Sequence, residues 1–151
     1  MQLGRRAALA AAAILLGGLA FAHPSFAQCG GGGGPSVRLF HDSNLTGIEY
    51  DVTGNIADYS KDNYPGTSAN LNDSVSSIEN DTNQWYAFYR NANYDGQVLC
   101  VGPGGIAWRL GDYMFNTICG SPCGTMNDRL SSQKNLGGAP PKGLCNWTVT
   151  K

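Results

Sequence analysis

The chain has little charge, almost no histidine and no helical repeat, and each shortage removes a class of function. Charged residues make up 14% of the 151, and only two are histidine. One of the two lies in the N-terminal leader. His41 alone would have to serve a Ser-His-Asp triad, and its predicted hairpin setting offers no base and orienter. The carboxylates include no pair set apart for acid–base work, so no enzyme is expected. An EF-hand loop, zinc-type Cys-x2-Cys pairs and a phosphate-cradling glycine loop are also missing from the sequence. Without Arg5 and Arg6, 10 − 2 = 8 basic residues face 11 acidic ones. Nucleic acid needs a basic face and is excluded as a partner. No second long apolar run follows the leader, so no membrane span is expected.

The leader itself is informative. Arg5 and Arg6 form a positive start, Ala7 to Ala22 is apolar, and Ser25-Phe26-Ala27 puts small residues at −3 and −1. Residues 1–27 read as a cleavable signal peptide, and the product is expected to be secreted or periplasmic. Residues 28–36 form a glycine-rich tether. A lipid anchor at Cys29 is disfavoured, because Gln28 stands where a lipobox has a small residue. Five cysteines outside the cytoplasm suggest disulfides. Cys119 and Cys123 are close enough to close a small loop, and Cys100 with Cys145 is the natural second pair. Spacing alone leaves the connectivity open.

Abundant glycine and aromatics suit short strands joined by tight turns. The strongest pattern is a repeat. Asn72-Asp73-Ser74-Val75-Ser76-Ser77 recurs as Asn127-Asp128-Arg129-Leu130-Ser131-Ser132. Upstream of each phrase an aromatic precedes a glycine by seven residues: Phe40 and Gly47, then Tyr89 and Gly96. Alternating strands should end at the aromatics, and hairpins should fold over at the glycines, where positive φ is expected. Second strands should run from Ile48 to Val52 and from Gln97 to Val101. Short helical turns fit within Asn55–Tyr64 and Ile106–Tyr113. The copies are offset by 49 residues at the aromatic and 55 at the phrase. About six extra residues are therefore expected between Leu110 and Met126. Each copy reads as a four-stranded Greek key, motif one over 37–82 and motif two over 84–149. Together they predict one all-β, disulfide-stabilised sandwich over 37–151.

The doubled aromatic-x6-Gly and Asn-Asp-x-x-Ser-Ser motifs resemble microbial βγ-crystallin domains. WYAFYRNANYDGQVLCVGPG is also similar to secreted metalloproteinase inhibitors of that fold. The resemblance implies two Ca²⁺ sites, each shared between the Greek keys. Asp73 and Asp128 would give carboxylates, Ser76 and Ser131 hydroxyls, and Ser74, Arg129, His41 and Arg90 main-chain carbonyls. Hard oxygen donors of this kind suit Ca²⁺. With one carboxylate per phrase, affinity is expected on the order of 10⁻⁵ to 10⁻³ M. The site nearest Arg90 and Arg129 should be the weaker. The sequence therefore predicts an exported calcium-binding crystallin-type module. The alternative is a peptidase inhibitor that presents the inserted loop Ile118–Thr125, with Ile118, Gly120, Ser121 and Pro122 as its candidate contacts, to a secreted protease.

Overall fold

The computed structural model describes residues 34–52, 54–114 and 124–151. The leader, Cys29, most of the tether, and the loop residues Ile118, Cys119, Gly120, Ser121, Pro122 and Cys123 lie outside the described residues. The expectations placed on them are not addressed by the structure.

Among the described residues, eight strands form two four-stranded sheets. In chain order they are β1 (Val37–Asp42), β2 (Thr46–Val52), β3 (Ser77–Asn80), β4 (Trp85–Asn91), β5 (Asp95–Val101), β6 (Ile106–Ala107), β7 (Ser132–Gly137) and β8 (Trp147–Val149). One sheet has the order β2-β1-β3-β6, the other β7-β4-β5-β8. The only helical elements among the described residues are 3-10 turns at Tyr59–Lys61 and Leu110–Asp112, inside the two stretches predicted for them.

Period-two alternation produces the core. Val37 and Leu39 of β1 face Tyr86 and Phe88 of β4 across the sandwich, joined by Val52, Ile78, Leu99 and Val101. The keys are interlocked. β6, from the second copy, pairs with β3 of the first. Ile56, from the first copy, bridges Gln133 on β7 of the second. Buried polar groups tie the same joint. Tyr59 donates its hydroxyl to Gln133 Oε1 at 2.8 Å. Asn80 donates to the carbonyls of Gln84, Val101 and Gly102. Among the described residues, no buried side-chain polar atom is left without a partner, as a satisfied interior requires.

The inserted residues are not all in one place. Asn44 N–H donates to Trp108 O and Asn93 N–H to Ala57 O, so Ala57 and Trp108 are equivalent. Their offset is 108 − 57 = 51 residues. Two of the six extra residues therefore lie before Trp108, near the turn after β5. The other four lie between Met114 and Thr125, whose bridge matches that of Asn63 with Asn70. The cysteine pair Cys100–Cys145 is bonded, with its Cα atoms 5.7 Å apart. It anchors β8, which runs parallel to β5 with Leu99 opposite Trp147.

Candidate functional site

Each hairpin tip is a strained turn held by the last serine of its own phrase. Asn44 and Leu45 have φ of 63° and 57°, and Asn93 and Tyr94 have φ of 59° and 63°. Leucine and tyrosine rarely occupy this left-handed region, so something must hold them there. Ser77 Oγ accepts from Leu45 N–H at 3.0 Å and donates to Asp42 O at 2.6 Å. Ser132 does the same with Tyr94 N–H and Asn91 O, at 3.0 and 2.6 Å. Both serines are fully buried. Glycine is required just beyond each tip, at φ of 81° and 85°. A Cβ would meet Asp42 Oδ2 at Gly47, or Asn91 Nδ2 at Gly96, at 2.9 Å or less.

The clamped hairpins displace one residue per key from the ladder. Register shifts fall between Phe40 and Asp42 and between Tyr89 and Asn91. His41 and Arg90 sit at these bulges, and the Arg90 guanidinium donates to Gln97 Oε1 across the hairpin at 3.4 Å. Bulges commonly re-aim backbone groups at functional positions. Ser76 N–H donates to Phe40 O and Ser131 N–H to Tyr89 O, so each phrase lies against its own bulge.

The phrases then cross. Asp73 N–H donates to Leu130 O, and Asp128 N–H to Val75 O. This pairing brings the carboxylate of one phrase to the hydroxyl of the other. Ser76 Oγ donates to Asp128 Oδ1 at 3.0 Å, and Ser131 Oγ to Asp73 Oδ1 at 3.4 Å. The second oxygen of each carboxylate accepts from the preceding asparagine: Asn72 to Asp73 at 2.8 Å and Asn127 to Asp128 at 2.7 Å. Both aspartates have positive φ, 54° and 51°, which turns them outward where they remain exposed. The result is two pseudo-equivalent oxygen clusters, Ser76 with Asp128 beside His41, and Ser131 with Asp73 beside Arg90.

Their surroundings differ. Around the first lie Asp42, within 2.9 Å of the His41 ring, and Tyr64, whose ring meets that of His41 edge to face at 5.8 Å. Burial pushes the Tyr64 phenol above its ordinary value. The Ser74 hydroxyl draws it back, and the Asp128 and Asp42 carboxylates raise it further. The Ser74 hydroxyl is turned inward, donating to Asn70 O at 2.8 Å and Leu71 O at 2.9 Å. Beside the second cluster, and reaching Asp128 of the first, lies an open cleft of about 490 Å³, lined by Asp73, Arg90, Asn91, Asn127, Asp128, Arg129 and Ser131.

No group of three or more His, Cys, Asp or Glu side chains gathers among the described residues. Any cation held here would rely on hydroxyl and carbonyl oxygens around a single carboxylate. That donor chemistry fits a hard cation at the Ser76–Asp128 cluster. Sequence reasoning overlooked the clamp role of Ser77 and Ser132 and the asparagine bonds of Asn72 and Asn127. Their signal was present, since all four belong to the repeated phrase. Asp42 and Tyr64 carried no such signal, because only the fold brings them to the cluster.

Against known proteins, residues 36–101 match the sequence model of peptidase inhibitor family I36. That segment runs from just before β1 to the end of β5. No curated protein matches the chain. Among solved structures, the chain is similar to one solved for the evolution of the eye lens βγ-crystallin domain fold. The two share 22% identity at a TM-score of 0.53, over 72% of this chain and 94% of that one. A βγ-crystallin from Ciona intestinalis shares 23% identity at a TM-score of 0.48, over 66% and 98% of the two chains. A βγ-crystallin from an archaeon shares 24% at 0.47, over 68% and 98%. The chain thus has the βγ-crystallin fold, and its first Greek key with the following hairpin matches peptidase inhibitor family I36.

Proposed function

We propose that this chain is an exported peptidase inhibitor built on a βγ-crystallin scaffold. The observation that carries the reading is the family match over residues 36–101, from β1 through β5. The fold suits the task. Interlocked keys, clamped hairpins and the Cys100–Cys145 bond leave a peptidase few segments that can open into its cleft. The disulfide and the leader sequence both favour an oxidising compartment outside the cytoplasm. Metallopeptidases are the favoured target class, on the resemblance of residues 85–104. The inserted loop Ile118–Thr125 is the proposed contact, on sequence grounds alone.

The test is a titration of the oxidised protein against purified metallo-, serine and cysteine peptidases. Saturable loss of metallopeptidase activity at or below about micromolar inhibitor, a Kd range typical of specific complexes, is the expected result. Full activity of the whole panel at that concentration would reject the inhibitor reading.

A second role is favoured by the crossed Asp–Ser pairs: Ca²⁺ binding that links the two keys. A cation between Asp128 and Ser76 would join one phrase to the other and bind only the folded chain. Binding of that kind adds about 2.7 kcal/mol of stability at a hundredfold excess over Kd. Calorimetric Ca²⁺ titration with melting curves in Ca²⁺ and in chelator tests it. An unchanged melting temperature and no heat of binding would remove this role and leave the inhibitor reading standing.

A further inference from the structure

The repeat is complete at β7. In the first copy β1, β2, the Ile56 bridge and β3 correspond to β4, β5, β6 and β7 of the second. The segment after β7 has no counterpart in the first copy, where β3 leads straight to β4. Its flanks have a structural task. Leu136 and Leu144 pack against the apolar outer face of the second sheet, and Cys145 is bonded to Cys100. Its middle has none of that burial: from Gly137 to Gly143 every residue except Pro140 is exposed. Both feet of this loop are tied down. Gly137 N–H donates to Asn135 Oδ1 at 2.7 Å. Asn146 N–H donates to Val98 O at 2.9 Å, and Asn146 Oδ1 accepts from Val98 N–H at 2.7 Å. Leu144 N–H donates to Pro141 O at 3.1 Å, and Gly143 has φ of 85°. That bond and that φ suit a type II turn, with Lys142 at its tip.

We infer that residues 137–143 are a peptidase-contacting loop: Ala139-Pro140-Pro141 lies in the substrate cleft of the target, and the Lys142 ammonium meets an acidic group at the rim of that cleft. This inference rests on the inhibitor reading above and is independent of the loop Ile118–Thr125. The physical reason lies in the loop's stiffness. Each proline locks its own φ, and Ala139 and Pro140, each standing before a proline, are confined to extended backbone. An extended segment is the form in which a peptide is taken up along a strand-lined cleft. A loop fixed at both feet and stiffened in its middle loses little freedom when it enters. The nitrogens of the Ala139–Pro140 and Pro140–Pro141 bonds carry no hydrogen, so a cleft that holds its substrate through those N–H groups cannot grip them for cleavage. The Cys145–Cys100 bond holds the far foot in place. The loop is then bound as a ligand and not consumed as a substrate.

The test uses the full oxidised protein and the metallopeptidase that it inhibits most strongly. Inhibition constants, association rates and mass spectra after long incubation are measured, with melting curves of each variant alone. Pro140→Gly/Pro141→Gly should weaken inhibition about tenfold or more, and the target should cut this variant within residues 137–143 while leaving the unaltered loop intact. Lys142→Glu, at an exposed turn tip, should slow association about tenfold at low salt, with the difference fading as salt is raised. It keeps the test open should the proline variant fail to fold. Unchanged inhibition by both variants would overturn the contact and leave the inhibitor reading intact. An unchanged association rate in Lys142→Glu alone would overturn the acidic rim. No inhibition of any metallopeptidase by the unaltered protein would end both readings.

Discussion

Arg38 and Asp51 stand opposite each other on β1 and β2, and their counterparts Ala87 and Cys100 stand opposite each other on β4 and β5. Phe40 and Glu49 likewise correspond to Tyr89 and Val98. The outer face of the first sheet is therefore charged. Arg38 bonds Glu79 at 2.6 Å, and Ser36 donates to Asp51 at 3.1 Å. The outer face of the second sheet is apolar. Ala87, Tyr89, Val98 and Cys100 are buried there, under Trp85, Tyr94, Leu136, Leu144 and Cys145. Beyond β7 the chain returns over this face, bonds Cys145 to Cys100 and ends as β8 beside β5. Among the described residues the first sheet has no such cover, and β2 forms its edge. One backbone plan thus supports two kinds of surface, and the alternate residues of the strands decide which half needs a covering segment.

The sharpest way to break the contrast is to remove the cover's anchor. Cys100→Ala/Cys145→Ala opens a crosslink spanning 45 residues of sequence. The expected loss is about 2–4 kcal/mol of unfolding free energy, measured by urea denaturation. An unchanged midpoint would mean that β8 and the Leu144 contacts hold the cover without the bond.

Exchanging one residue between the faces comes next. Ala87→Arg places the first sheet's charge beneath the covering segment, and the expected cost is about 3 kcal/mol or more. The reverse change, Arg38→Ala, removes a partly exposed ion pair and should cost no more than about 1 kcal/mol. Equal costs in thermal melts would show that the two outer faces are not different in kind.

The hairpin clamps should instead be matched. Ser77→Ala and Ser132→Ala each strip the partner from a left-handed backbone N–H, at about 1–3 kcal/mol apiece. Chemical denaturation that separates the two by more than their error would show that the keys differ inside as well as outside.

The smallest effect near neutrality is the alkaline one. Burial raises the phenols of Tyr59, Tyr64, Tyr86 and Tyr89 above their ordinary 10.0. The folded state therefore holds these protons more tightly than the unfolded chain does. Stability should be flat below about pH 10 and fall as pH rises beyond it toward the folded values. Melting temperatures from pH 8 upward, with tyrosinate absorbance, read this. A flat profile above pH 10 would contradict the burial of these rings.

Much of the plan was legible in the sequence because it is local. Phe40 and Gly47, Tyr89 and Gly96 mark the hairpins by short-range sterics. Positive φ at Gly47 and Gly96 follows from turn geometry. The short turns fell inside their predicted windows, and the doubled phrase announced two keys. The bond between Cys100 and Cys145 was the natural pair. The partition of the inserted residues was less legible. Only the hydrogen bonds of Asn44 and Asn93 to Trp108 and Ala57 fix the true equivalence.

Sequence by itself determined the repeated unit, the strand faces and the oxygen-rich phrases, since these depend on neighbours a few residues apart. The tertiary structure alone decided that the phrases cross, with Asp128 meeting Ser76 and Asp73 meeting Ser131. It also decided that β8 runs parallel along β5, and that Arg90 and Arg129 share a cleft while Asp42 stands by Tyr64. Those placements depend on how two sheets with their own twist pack and exchange edges. A periodic pattern along one chain says which face is inward, but not which distant residue it will meet.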